Sequence, residues 1–131
     1  MAIGFSKKVL FPNGATVLNG TPHTITFRLT TGEDVTVEPC GARLEARANE
    51  VLAHRIGGVD YVRTVFSPSP EGEAEIREIE GANIGNHLII VGSIISAQAY
   101  PGLVCAMTPA FGFERVPPAE KRMSPDKFTI F

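Results

Sequence analysis

The sequence predicts an α+β fold: a small, mostly antiparallel β-sheet or partly closed barrel with one short helix against it. Three observations carry that expectation. The first half alternates apolar and polar residues with a period of two, Leu88 to Val91 is a continuous apolar run, and a stretch of helical length lies between Ser93 and Pro101.

In "HTITFRL", His23, Ile25, Phe27 and Leu29 share one face, while Thr24, Thr26 and Arg28 share the other. That pattern is a half-buried strand, with His23 on its apolar face. Pro22 lacks an N–H and forces Thr21 into an extended conformation, which suits the start of a strand. "TTGED" supplies a turn, and "VTV" returns with Val35 and Val37 inward, completing a hairpin. "ARLEARANEVLAHRI" suits either helix or strand by propensity. Its alternating arginines and the Gly57-Gly58 turn behind it favour a strand, and "DYVRTVF" follows as another.

"SPSPEGEAEIREIEG" changes character, with Ser, Pro, Gly and five glutamates around only Ile76 and Ile79. It reads as an exposed, acidic mobile loop over residues 67–83, with room for one short helical turn. "LIIV" then predicts a central strand covered on both faces. "SIISAQAY" predicts a short helix capped by Ser93 and stopped by Pro101, and "LVCAM" another buried strand. The remainder, residues 114–131, reads as an extended C-terminal tail. Its last residues, "KFTIF", are expected to form an edge strand or to contact a second subunit.

The 131 residues fit a single domain, 1–131, long enough to bury roughly two thirds of the unfolded surface. A net charge of −2 offers no basic footprint for bulk nucleic acid. From Gly81 to Phe113 there is no Asp, Glu, Lys or Arg, but glycines, serines, Asn86, His87, Gln98 and Pro101 interrupt the run. It reads as the buried part of a soluble domain, not a membrane span. "MAIGFSKKVLFPNG" lacks the apolar region of a signal peptide, and two cysteines make no disulfide framework, so a cytoplasmic protein is expected.

Catalytic chemistry finds little support. His23, His54 and His87 show no HxH, HExxH or CxxC spacing, so no metal and no cofactor is expected. Cys40 and Cys105 read as small hydrophobes, and no G-x-S-x-G elbow is present. Gly92-Ser93 joins a strand to a helix and is an ordinary N-cap or an anion site. Arg43, Arg47, Arg55 and Arg63 on strand faces either line a phosphate-holding groove or form solvated ion pairs.

"NGTPHTI", "EPCGARLEA", "DYVRTVF" and "HLIIVGSIISAQAYPG", spanning Asn19 to Pro101, resemble in their order a family of small uncharacterised phage, prophage and bacterial proteins. Those proteins open on an Asn-Leu-Thr-Pro-His motif, and a hydrophobic "YIVS..VA.A" segment leads into their C-terminal part. Here Gly20 replaces the usual Leu, Gly92 precedes Ser93, and the acidic segment is longer than the family's connection.

The resemblance implies a phage context. Within it, small proteins without enzyme motifs often inhibit host defence by binding a protein or sequestering a nucleotide signal. The polar residues that coincide with its blocks are Asn19, Thr21, His23, Arg43, Arg63, Thr64 and Ser93, which the resemblance makes candidate ligand-binding residues. The expectation is a non-catalytic, homo-oligomeric protein that sequesters a small anionic, nucleotide-like immune signal, with Phe111, Phe113 or Phe128 stacking on a base. The alternatives are a small phosphodiesterase or hydrolase using His23 or His87 as base, and a phage structural or protein-interaction module.

Overall fold

The computed structural model describes residues 3–82 and 87–131. In chain order the strands are β1 (Val9–Leu10), β2 (Thr16–Asn19), β3 (Ile25–Arg28), β4 (Asp34–Val37), β5 (Ala46–Ile56) and β6 (Val59–Pro68). Helix α1 (Pro70–Ala82), β7 (Leu88–Gly92), helix α2 (Ile94–Ala99), β8 (Val104–Pro109) and β9 (Met123–Thr129) complete the chain, with single 3₁₀ turns at Phe5–Lys7 and Pro118–Glu120.

Seven strands form one sheet in the order β1-β2-β7-β8-β9-β3-β4, and β5 and β6 pair only with each other. The pairs β2/β7, β7/β8 and β3/β9 are parallel; β1/β2, β3/β4, β8/β9 and β5/β6 are antiparallel. The chain leaving β4 bends back onto β2, where Pro39 bridges Asn19 and the Cys40 N–H donates to the Asn19 carbonyl at 2.9 Å. That contact brings the sheet to a nearly closed barrel, an α+β architecture as expected from the strand patterning.

The period-two rule places each strand's side chains in one of two cores. Inside the barrel, Phe11, Val17, Ile25, Phe27, Val37 and Val91 pack together, with Phe11 meeting Phe27 edge-on at 5.1 Å. Outside it, Leu18, Ile90, Val104 and Ala106 face a second core closed by Ile76 and Ile79 of α1 and by Ala97, Ala99 and Tyr100. Neighbouring residues of β7, Ile90 and Val91, thus serve opposite cores, which is why the "LIIV" run is apolar throughout.

Two expectations change. The acidic segment forms a 13-residue helix, α1, over most of the range expected to be a loop (residue 83 lies outside the described residues). Ser69 begins it, accepting the Gly72 N–H on its hydroxyl at 3.0 Å and the Glu73 N–H on its carbonyl at 2.9 Å. Pro70 takes the first helical position, where no N–H is needed, and Glu71 and Glu73 favour the helix's positive end. Gly72, Ile76 and Ile79 then bury one stripe, and that packing holds the helix.

His23 is exposed, because β3 begins only at Ile25 and residues 21–23 form a bend before it. In "KFTIF", Phe128 and Thr129 pair with Met107 and Ala106 of β8, while β3 meets β9 farther up, at Met123. Phe128 packs against Phe27 with ring centroids 6.2 Å apart, and the large apolar residues exposed at the end are Ile130 and Phe131. Arg28 and Arg122 both pair with Asp34, the latter at 2.9 Å, tying β9 to the β3–β4 hairpin. The hydrogen bond from Arg28, with Arg122 assisting, holds the Asp34 carboxyl below the usual carboxylate range. Among the described residues no helix is long and apolar enough to cross a membrane.

Candidate functional site

The seam that closes the barrel also builds a cleft. Asn19, at the end of β2, is fully buried and uses its whole amide. Its Nδ2 donates to the His23 carbonyl at 2.7 Å and to the Val37 carbonyl at 3.0 Å. Its Oδ1 accepts from the Thr21 N–H at 2.9 Å and the Thr21 hydroxyl at 2.6 Å. One side chain therefore fixes the Thr21-Pro22-His23 bend and joins it to the end of β4. The motif "NGTPH" is first of all a structural clamp.

Next to the clamp, Gly20 donates its N–H to the Val91 carbonyl at 2.7 Å. A Cβ at this position would stand 2.5 Å from Leu44 Cδ1 and 2.8 Å from the Val91 oxygen. The Gly20→Leu variant, which supplies the residue of the Asn-Leu-Thr-Pro-His motif, is expected to lose about 2 kcal/mol by overpacking. A urea unfolding midpoint lowered at unchanged slope would show it.

A cleft of about 370 Å³ opens over this seam. Gly20, Thr21 and Pro22 line one side, Pro39 and the stretch from Gly41 to Glu45 the second, and Ser93 and Ser96 the third. Gly41 turns the second wall with a φ of 83°, a left-handed conformation that favours glycine. Helix α2 anchors that wall. Ser96 Oγ donates to the Leu44 carbonyl at 2.7 Å, and the Tyr100 hydroxyl donates to the Glu45 carbonyl at 2.6 Å. Ser93 is the N-cap of α2, accepting the Ser96 N–H at 3.1 Å.

Pro22, Pro39, Ala42 and Leu44 make the walls largely apolar. The polar residues lining it are Ser93, whose hydroxyl also donates to Ser96 Oγ at 3.2 Å, Arg43 and Glu45. Arg43 is exposed, and among the described residues no carboxylate pairs with it. The Thr21 hydroxyl is already engaged with Asn19 and with the His23 carbonyl, at 3.0 Å. An apolar slot with a few polar groups, one cationic at Arg43 and one anionic at Glu45, suits a small ring-bearing molecule with polar or charged substituents.

Of the seven residues expected at a site, Thr21, Arg43 and Ser93 line this cleft. Asn19 lies beneath it as the clamp, and His23 contributes its backbone carbonyl to that clamp while its side chain is exposed outside the lining. Arg63 and Thr64 stand on β6, away from the cleft of their own chain. Sequence reasoning missed Gly20, Leu44, Glu45 and Ser96. The signal for Ser96 was its position three residues after the N-cap, on the same face of α2.

None of Phe111, Phe113 and Phe128 lines the cleft. Phe128 packs beside the barrel core, Phe113 lies under the Arg28 guanidinium at 4.9 Å, and Phe111 is 98% exposed. A second cleft of about 420 Å³, between Arg28, Phe111, Ser124 and Lys127, brings together none of the seven. Among the described residues no group of three or more His, Cys, Asp or Glu side chains is placed to hold a metal ion. Burial raises the pKa of both free cysteines, Cys40 and Cys105, so neither is primed as a thiolate. No protein-family model, no curated protein and no solved structure matches the chain.

Proposed function

We propose that the protein is a non-catalytic binder that holds a small anionic, nucleotide-like molecule in the Thr21–Arg43–Ser93 cleft. In this reading it is a phage or prophage protein that sequesters an immune signal in the host cytoplasm, and it works as a homo-oligomer. One observation carries the binding part. "NGTPHTI", "EPCGARLEA" and "HLIIVGSIISAQAYPG" lie far apart in sequence, yet residues from all three line one cleft. Arg43 supplies the charge for a phosphate or carboxylate, Ser93 a hydroxyl beside it, and the proline and leucine walls a surface for a ring.

A hydrolase is the weaker reading, because no histidine lines the cleft to act as base. The test incubates the protein with cyclic dinucleotides and ADP-ribose-derived nucleotides, filters it, and assays free ligand before and after heat denaturation. Depletion followed by recovery of intact ligand is the expected result. Altered ligand would point to an enzyme, and no depletion across the panel would overturn the reading. Arg43→Ala, which removes no internal bond of the fold, is expected to weaken the binding at least about tenfold by loss of a charge-assisted contact.

A further inference from the structure

Strands β5 and β6 form a two-stranded ribbon that leaves the barrel, turns at Gly57 and Gly58 with φ of 56° and 81°, and returns. Every residue from Arg47 to Val65 is exposed. At about 3.3 Å per residue the ribbon reaches roughly 30 Å. The register puts Val51, Val65, Ile56 and Val59 on one face, together with His54 stacked on Tyr61 at 4.8 Å. Leu52 and Val62 pair on the opposite face.

These are core residue types in solvent-facing positions: Val51, Leu52, Ile56, Val59, Tyr61, Val62 and Val65 are 47–62% exposed. A two-stranded hairpin is marginal by itself in water, and the largest apolar patch on a typical monomer is only about 300–600 Å². Five of these seven half-exposed side chains share the Val51–Tyr61 face.

We propose that the ribbon is an arm that grips a second copy of the chain, setting its Val51–Tyr61 face against helix α1 of that copy. Charge argues for this occupant. The face also carries Arg47 and Arg63, which pair with no carboxylate among the described residues of their own chain. Helix α1 exposes Glu71, Glu73, Glu78 and Glu80 with Arg77 as its one cation. A basic apolar arm and an acidic helix on one chain are complementary when two copies meet about a two-fold axis.

A reciprocal contact uses the arm and the helix of each copy, and a standard interface buries ~800 Å² per partner. Arg63 then belongs to an interface and not to a ligand cleft within one chain, whereas Thr64, opposite Glu50, lies on the other face of the ribbon. The inference names the surface behind the oligomeric part of the function proposed above and does not rest on the ligand.

Light scattering during size-exclusion chromatography of the full chain tests it. The expected mass is twice the 14.1 kDa of one chain. Arg47→Glu with Arg63→Glu keeps every apolar side chain and is expected to weaken the dimer about tenfold or more at low salt. Adding Glu78→Arg and Glu80→Arg is expected to restore it, which a merely structural defect would not allow. Val51→Glu with Tyr61→Glu is expected to give monomers.

A wild-type monomer at micromolar concentration would overturn the proposal, as would charge reversals that leave the dimer unchanged or that the helix reversals do not rescue. Nucleotide depletion measured on the same samples separates the two proposals. A monomer that depletes nucleotide sinks the arm alone, and a dimer that depletes none sinks the cleft alone.

Discussion

Replacing Asn19 by alanine is expected to open the barrel at its seam and to cost about 4 kcal/mol, because several buried polar groups lose their partners at once. The Asn19 amide makes four hydrogen bonds and is 0% exposed. Without it, the Val37 carbonyl and the Thr21 N–H lose their Asn19 partner. The Thr21 hydroxyl can still turn to the His23 carbonyl, 3.0 Å away, so the bend itself is only partly released.

Against the 5–15 kcal/mol typical of a whole domain, such a loss is severe. Urea unfolding would measure it, and Thr21→Val provides the scale. That variant removes only the hydroxyl, keeps the backbone N–H bonded to Asn19, and is expected to cost about 1 kcal/mol. Equal effects of the two substitutions would refute the view that Asn19, and not the bend, is the clamp.

Much of the barrel was legible because its strands alternate. Ile25, Phe27, Leu29 and Val37 are buried as their spacing predicts, and "LIIV" is the central strand its unbroken hydropathy implies. The cap at Ser93 and the stop at Pro101 also bracket α2 as read. Helix α1 was hidden by composition. Five glutamates with Ser, Pro and Gly resemble a loop, while the informative detail was positional: Ser69 before Pro70, then apolar or small residues at 72, 76 and 79.

The place of β9 was not legible at all. The insertion of β9 between β8 and β3, made through Met123, is a long-range choice that period-two patterning does not encode. The same holds for the cleft. Thr21, Arg43 and Ser93 meet because β2 pairs with β7 while the chain beyond β4 folds back on Asn19, and neither pairing is local. Arg63 and Thr64 looked equivalent to Arg43 in sequence. They differ only because β5 and β6 run past the barrel instead of joining it.

The two glycines of α1 give the other large expected effect, and in opposite directions. Gly72 faces Tyr100: a Cβ there would overlap the tyrosine hydroxyl and stand 2.8 Å from its Cζ and 3.1 Å from Ser69 Oγ. Tyr100 is 2% exposed, and its hydroxyl is committed to the Glu45 carbonyl at 2.6 Å, so neither the ring nor the helix can yield freely. Gly72→Ala is therefore expected to cost about 3 kcal/mol, the overpacking penalty together with a strained or broken buried hydrogen bond.

Gly81 meets nothing within 4 Å, so Gly81→Ala is expected to stabilise the same helix by about 0.5–1 kcal/mol through reduced backbone freedom in the unfolded chain. Thermal or urea midpoints of the pair would read the contrast directly. The consequence extends beyond stability, because the Tyr100–Glu45 bond holds the cleft wall where it runs into β5. Adding Tyr100→Phe to Gly72→Ala removes the crowded hydroxyl and is expected to recover part of the loss despite deleting a hydrogen bond. If the double variant is less stable than Gly72→Ala alone, the clash with Tyr100 is not the reason residue 72 is glycine.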